Sequence, residues 1–310
     1  TIREAGRSFG RIHITHAQFN SYKGENWAEL RPGSEEVAKA VMETEGATLD
    51  MGQIIFGTST TMTADAPFEF ALYHLTAIKK WAGGEVEAES ASGVVPFKYR
   101  KKNMVNAVQW CIGLELALLI EDPWKVFLTT DHPNGGPFTR YPRIMLWLMR
   151  RRAREEIIKK LSGAGRRRAV LPSLEREYSL YEIAMMTRAS PARILGLEDR
   201  KGTLKPGADA DISVYDLKPE DIDSIEDEDL VKKLRYAYLT VKSGEIVVRE
   251  GEIVKTTYGS TYYVKHRKAE EFKTIEDEVR SLFEKWYTVN FNQYVIKEYE
   301  VRSLKPVEVV

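Results

Sequence analysis

The sequence predicts a parallel α/β protein, either a barrel or a doubly wound sheet, followed by a small β-rich module. Three observations predict it. Strand-like runs rich in β-branched residues at positions 11–19, 47–56 and 124–130 are separated by segments with helical periodicity. Strand, loop and helix then repeat in that order, the pattern of parallel sheets whose strands are joined by helical crossovers. Beyond Leu197 the pattern changes to short strands set between turn residues, which marks a separate module.

Taken in order, residues 1–8 read as the end of a polar helix that leads almost without linker into the first strand, residues 11–19. Ser34, ahead of Glu35, Glu36, Val37, Ala38, Val41 and Met42, reads as the cap of a helix. The second strand follows at 47–56. Residues 57–102 form a loop-rich passage with an apolar helix at 68–81 and a Gly- and Ser-rich turn region at 83–93; ordered loops of this length tend to be functional. An apolar helix capped by Asn103 spans 103–120. The third strand, 124–130, stops at Asp131-His132-Pro133-Asn134-Gly135-Gly136, where the proline and the glycine pair break it. Helices resume from Tyr141, with arginine-rich stretches at 150–154 and 166–168, and continue at 180–188 and 191–195. In the β-module the turn residues Gly202, Pro206-Gly207 and Ser243-Gly244 separate strands at 211–215, 237–241 and 245–248. A charged amphipathic helix at 265–286 and a tail rich in Tyr and Val close the chain.

Composition excludes several function classes. With 43% hydrophobic residues, the 310-residue chain has ample material for a core. Its 46 basic and 46 acidic side chains balance, which argues against a dedicated nucleic-acid binder. The lone Cys111 rules out a disulfide framework or a four-thiolate zinc knuckle and suits a reducing compartment, so a cytoplasmic location is expected. No apolar run reaches about 18 residues and no signal pattern opens the chain, so neither a membrane span nor secretion is expected. Because the chain opens at Thr1, we expect that a leading segment was removed or that the sequence is a piece of something longer.

Only five histidines are present, at positions 13, 16, 74, 132 and 266. Strand alternation puts Ile12, Ile14 and His16 on one face, with His13 and Thr15 on the other. On the third strand it groups Phe127, Thr129 and Asp131 against Leu128, Thr130 and His132. His16 and Asp131 therefore make the candidate pair, an imidazole and a carboxylate at strand ends, where barrel enzymes keep their active sites. Such a pair suits a zinc site whose carboxylate also takes a proton from water. Taken alone, a strand-end histidine is more often structural, and an Asp before His-Pro is more often a turn former. Asn134-Gly135-Gly136 reads as a tight turn before an anion cradle, the arginine clusters as solvated helix faces, and Cys111, Trp110, Trp124 and Trp147 as packing residues.

The segment Leu128-Thr129-Thr130-Asp131-His132-Pro133-Asn134-Gly135-Gly136-Pro137-Phe138-Thr139, together with Ile12-His13-Ile14-Thr15-His16-Ala17-Gln18-Phe19, resembles the A-subunit family of formylmethanofuran dehydrogenase. The resemblance runs on through Glu175-Arg176-Glu177-Tyr178-Ser179-Leu180-Tyr181-Glu182-Ile183-Ala184 and Thr187-Arg188-Ala189-Ser190-Pro191-Ala192-Arg193. It includes Leu204-Lys205-Pro206-Gly207-Ala208-Asp209-Ala210-Asp211-Ile212, a phrase shared widely among amidohydrolases. It implies a metal-dependent (β/α)8 amidohydrolase barrel with an accessory β-domain built from both chain ends. Binuclear members take ligands from a His-x-His on strand 1, a carboxylated lysine on strand 4, histidines on strands 5 and 6, and an aspartate on strand 8. By position His16 matches the strand 6 histidine and Asp131 the strand 8 aspartate, while the other motifs are absent. The chain would then be the C-terminal half, holding about strands 6 to 8, with residues 1–197 as a partial catalytic barrel, 198–264 as a β-sandwich-like accessory module and 265–310 as a C-terminal helix and tail.

The resemblance further implies one-carbon metabolism of the methanogenic type. A partner protein carrying a tungsten or molybdenum pterin, with iron–sulfur clusters in the assembly, reduces carbon dioxide to formate. The family's own member condenses formate with the amine of methanofuran, and the related bacterial formyltransferase/hydrolase complex runs in the formyl-releasing direction. Two divalent metals, zinc by expectation, would polarise the formyl oxygen while Asp131 shuttles the proton, and His132 and Asn134 are the expected substrate-binding residues. Two ligands do not make a tight zinc site, so this chain alone is expected to be inactive. The alternatives are a cyclic-amide hydrolase of the dihydroorotase or hydantoinase type and a noncatalytic scaffold within the complex.

Overall fold

The computed structural model describes residues 1–26, 28–62, 94–262 and 269–286. The helix expected at 68–81, the turn region at 83–93 and the tail beyond Trp286 lie outside the described residues, as do His74 and His266. The chain divides into two compact units, residues 1–60 with 97–257, and residues 61–96 with 258–310.

The first unit is organised on three parallel strands, Ile12–Ile14, Ala47–Asp50 and Val126–Phe127, adjacent in that order. Ile14 lies opposite Leu49, and Asp50 opposite Phe127. The strands are shorter than their β-branched runs suggest, because the chain turns at Thr15 and His16 and because the second and third strands continue only as single bonds. Met51 N–H donates to the Phe127 carbonyl at 2.9 Å and Gln53 N–H to that of Thr129 at 2.8 Å, so the two chains stay side by side past their formal ends. Helix Ser34–Glu43 joins the first strand to the second, helix Met104–Leu119 precedes the third, and helix Tyr141–Met149 follows it. This is the strand–helix alternation expected of a parallel sheet.

Helix Met104–Leu119 is apolar on every face, and it is accordingly buried at every residue from Asn106 to Leu118. Asn103 caps it, its side chain accepting from Asn106 N–H at 3.0 Å. The one carboxylate within, Glu115, accepts from Val170 N–H at 2.7 Å, Leu171 N–H at 2.8 Å and the Ser34 hydroxyl. Burial still pushes its pKa up against those donors. Ser34 is therefore not a helix cap: Gly33 occupies that position, and the buried carboxylate takes the hydroxyl instead. Trp110 and Trp147 pack edge to face at 5.2 Å, and Cys111 is fully buried. Trp124 is partly exposed and packs beneath the Arg193 guanidinium, 5.1 Å from its ring centroid.

The arginine-rich stretch 150–154 is not a wholly solvated face. Arg152 is on the surface, but Arg154 is 1% exposed and donates to the carbonyls of Trp147 at 2.8 Å, Leu148 at 3.3 Å, Leu174 at 3.3 Å and Arg176 at 2.8 Å. Arg150 is also buried, bonded to Asp227 and to the Ile222 and Ile225 carbonyls. A planar guanidinium offers five donors in a fixed fork, so it can collect converging carbonyls that no apolar side chain would satisfy. Arg168 likewise holds the carbonyls of Leu30 at 3.0 Å and Ala28 at 2.8 Å.

From Leu180 the chain is helical to Ile194, opened by a Ser179–Glu182 capping box and interrupted by one π-helical turn, Met185–Ala189. The β-rich segment of this unit is a four-stranded antiparallel sheet in the order Glu252–Ile253, Glu245–Arg249, Leu239–Lys242, Ile212–Val214. It also carries a helix, Asp227–Arg235, that the sequence pattern did not suggest. In the second unit the charged helix spans Ala269–Trp286. Among the described residues no helix is long and apolar enough to cross a membrane.

The buried fork and the acidic tie of the β-sheet can each be tested. Arg154→Lys keeps the charge but strands some of the collected carbonyls, and is expected to lower unfolding stability by about 1–3 kcal/mol in chemical denaturation, with an unchanged midpoint counting against the role given to the fork. Asp211 is pushed up by burial, but Lys201, Lys242 at 2.7 Å and Ser243 N–H at 2.9 Å outweigh it and hold the carboxyl at about 2, below the usual 3.8. A depressed acid stabilises the fold above its unfolded pKa and loses that contribution as pH falls through the folded one. Asp211→Asn should therefore flatten the fall in stability between about pH 4 and pH 2, measured by thermal unfolding across that range.

Candidate metal centre

The centre forms where the three parallel strands end. The first strand stops at Ile14, and two residues later His16 adopts a left-handed backbone, φ 49° and ψ 49°, opening the short 3-10 helix Ala17–Asn20. Beyond the third strand Asp131 does the same at φ 48°. Histidine and aspartate are among the few side chains that enter this region with any frequency. Two glycines make room for these turns. A Cβ on Gly52, whose φ is +62°, would lie 2.9 Å from the His16 Cα, and one on Gly135 would lie 2.5 Å from the Thr130 carbonyl oxygen.

The result brings together the two residues that the sequence singles out: His16 Nε2 lies 3.1 Å from Asp131 Oδ1. The face assignment of His13 needs correction. Strand alternation set it opposite His16, yet both imidazoles reach one carboxylate, that of Asp50 at the end of the second strand. His16 Nδ1 is 2.8 Å from Asp50 Oδ1, and His13 Nε2 is 3.1 Å from Asp50 Oδ2. Alternation failed because the strand ends before His16 and the left-handed turn rotates that side chain back onto the face of His13. Beyond the third strand, which ends at Phe127, Thr129 and Asp131 both reach the network, Thr129 at Asp50 and Asp131 at His16.

Asp50 and Thr129 complete the network. Asp50 is buried, which pushes its carboxyl pKa up, but His13, the Thr129 hydroxyl and the backbone and ring of His16 outweigh burial and hold it at about 2. Thr129 Oγ1 in turn accepts from Gly52 N–H at 2.9 Å. The His13 ring stacks on Phe127 with centroids 5.2 Å apart, and its Nδ1 is 3.0 Å from the Thr48 hydroxyl. Asp50 and His13 escaped the sequence reading. The available signal was the position of Asp50 at the C-terminal end of a parallel strand, where barrel chemistry collects.

His132 and Asn134, expected to bind substrate, have other contacts here. The His132 ring accepts from Phe138 N–H at 3.2 Å and meets the Phe138 ring edge to face at 5.0 Å. Asn134 donates its side-chain amide to Asp131 Oδ2 at 2.7 Å, while its carbonyl accepts from Ser59 at 3.1 Å and Tyr99 at 3.2 Å.

The electrostatics of the pair point to a cation. A neutral imidazole carries one N–H. With Nδ1–H donated to Asp50, the Nε2 lone pair confronts a carboxylate oxygen at 3.1 Å. Two electron-rich atoms so close require a proton or a metal ion. Two donors on one tetrahedral zinc, each about 2.0–2.1 Å from it, stand about 3.3 Å apart, near the observed separation. Ligating histidines characteristically donate their second nitrogen to a carboxylate, as His16 does to Asp50. His16 and Asp131 thus fit two positions of a metal site. Among the described residues no group of three or more His, Cys, Asp or Glu is placed to hold a metal ion.

Comparison with known proteins identifies relatives of the chain. The chain is 42% identical over 297 residues to protein FwdA of Methanocaldococcus jannaschii, covering 95% of this chain and 52% of that protein. It is 40% identical over 256 residues to the A component of the formyltransferase/hydrolase complex Fhc of Methylorubrum extorquens, covering 81% of this chain and 45% of the relative. The crystal structure of the FhcABCD complex from Methylorubrum extorquens with methylofuran superposes with a TM-score of 0.75 at 34% identity, over 96% of this chain and 53% of the matched one. The chain therefore spans about half the length of the curated relatives it matches. Residues 8–248 match the amidohydrolase family. On that match and those relatives, the chain has the amidohydrolase fold and belongs to the amidohydrolase family.

Proposed function

We propose that this chain carries part of the active site of a formylmethanofuran dehydrogenase component of the FwdA type, which forms or hydrolyses the formamide of a methanofuran-like amine. The observation that carries the reading is the His16–Asp131 couple, found in a chain that aligns over 95% of its length with FwdA. In this reading the three parallel strands are barrel strands 6 to 8, and the antiparallel sheet belongs to the accessory domain. The remaining donors, among them a carboxylated lysine, come from outside the described residues, and the chain alone is inactive.

Two divalent ions, zinc by the donor chemistry, would polarise the formyl C=O and promote attack by water. His16 Nε2 and Asp131 Oδ1 are this chain's donors to them. Hydrolysis adds water oxygen to the formyl carbon, breaks the C–N bond and delivers a proton to the departing amine. Asp131 is placed to take the proton from water and return it to the amine nitrogen, and condensation runs the same steps backwards. Asn134 holds Asp131 Oδ2, which leaves Oδ1 directed at His16 and keeps the carboxylate in one orientation while the proton moves. The same resemblance assigns the tungsten or molybdenum pterin and the iron–sulfur clusters to other components of a cytoplasmic assembly.

Asp131→Asn in the whole protein is expected to lower formyl hydrolysis by about 10²–10⁴-fold, followed as formate release from a formylated furfurylamine of the methanofuran type. Turnover at the unsubstituted rate would rule out this assignment and favour a scaffold. Asn134→Ala should be less severe, with about a 10–100-fold loss in the same assay.

A further inference from the structure

We propose that Asp50 is a positioning residue that fixes His16 as a metal donor, with His13 and Thr129 holding Asp50 in place. The inference rests on the metal-site reading above and names a group that no ligand motif contains. Asp50 comes from the strand between those that lead to His16 and Asp131, so it can tie both sides of the site together.

The geometry is specific. Asp50 Oδ1 faces His16 Nδ1 at 2.8 Å, and since a carboxylate can only accept, that nitrogen carries a hydrogen; Nε2, 3.1 Å from Asp131 Oδ1, is then the nitrogen whose lone pair would be given to a metal ion. Oδ1 also takes the Thr129 hydroxyl, and Oδ2 takes His13 Nε2 at 3.1 Å. The plane of the carboxylate is thereby held from both ends. His13 is locked in turn, stacked on Phe127 at 5.2 Å with Nδ1 3.0 Å from the Thr48 hydroxyl. A buried carboxylate gathering donors from neighbouring strands could be explained as a fold-stabilising tie. Two features favour positioning. Its histidine contacts come from the end of the first strand's path into the site, His13 within the strand and His16 just beyond it, and the second is to the ring whose other nitrogen faces Asp131. Outer partners of ligating histidines set ring orientation and basicity, and their loss characteristically weakens metal binding or activity about 10–100-fold.

The test uses the whole protein in its native assembly, with zinc ion as probe. Asp50→Asn, His13→Gln, Thr129→Val and a His16→Ala control are compared by bound zinc, by zinc affinity in chelator competition, and by kcat and KM for formyl hydrolysis, with thermal unfolding as the fold check. Asp50→Asn is expected to lower zinc affinity about 10–100-fold with KM little changed, and added zinc should restore kcat. A role confined to stabilising the fold would lower the unfolding temperature without zinc rescue, and that result overturns the proposal. Wild-type zinc affinity in a folded Asp50→Asn protein also overturns it. If Asp50→Asn does not assemble, His13→Gln and Thr129→Val decide: both should weaken zinc in the same direction to a smaller degree, and unchanged affinity in both rejects the inference. Undiminished zinc affinity in His16→Ala rejects it as well. A protein whose zinc affinity depends on His16 and on Asp50 behind it, yet which releases no formate, would leave this inference standing and remove the formyl-transfer reading.

Discussion

The Asp50 carboxylate and its three side-chain partners organise the site. A buried anion is tolerated only when donors surround it, and here they are drawn from the first strand and its turn (His13 and His16) and from the end of the third (Thr129), while the carboxylate comes from the second. The demand of one buried charge thus becomes a geometric constraint on three strand ends. His16 cannot rotate without leaving Asp50 short of a donor, and Thr129 cannot move without also releasing Gly52 N–H.

The backbone around this carboxylate departs from regular structure where the chemistry requires it. His16 and Asp131 both sit in left-handed turns, conformations that the surrounding packing must hold because neither is intrinsically favoured. Close approach supplies the packing. Gly52 lies against His16, and Gly135 lies against the Thr130 carbonyl while its own carbonyl accepts from Ile55 N–H at 2.8 Å. A side chain at either glycine would push one turn away from the other and open the gap between His16 and Asp131.

Behind the site, rigidity comes from buried charged groups that are held by partners. The apolar helix Met104–Leu119 occupies the core, and its Glu115 is held by Ser34, Val170 and Leu171 rather than left bare. Arg150 and Arg154 collect carbonyls from chain segments that have no hydrogen-bonded ladder between them. These interactions fix the helix that follows the third strand, and with it the loop that carries Asp131 and Asn134.

Much of the fold was legible in the sequence, because β-branched runs and helical periodicity are local signals: the three strands, the capped apolar helix and the change of character after Leu197 all rest on them. That His16 and Asp131 come close together could be read from the sequence too, as an imidazole and a carboxylate placed just past strand ends. What stayed hidden depended on partners distant in the chain. Ser34 resembles a cap until the buried Glu115 takes its hydroxyl, and the arginines of 150–154 resemble a solvated face until converging carbonyls draw Arg150 and Arg154 inside. His13 and Asp50 belong to the site only because a left-handed turn at His16 cancels the alternation that separates His13 from it. The sequence by itself determined the parallel α/β class and the donor types, since periodicity and residue chemistry are properties of the local chain. The tertiary structure alone decided which donors share a carboxylate, because that depends on strand register and on where each strand stops.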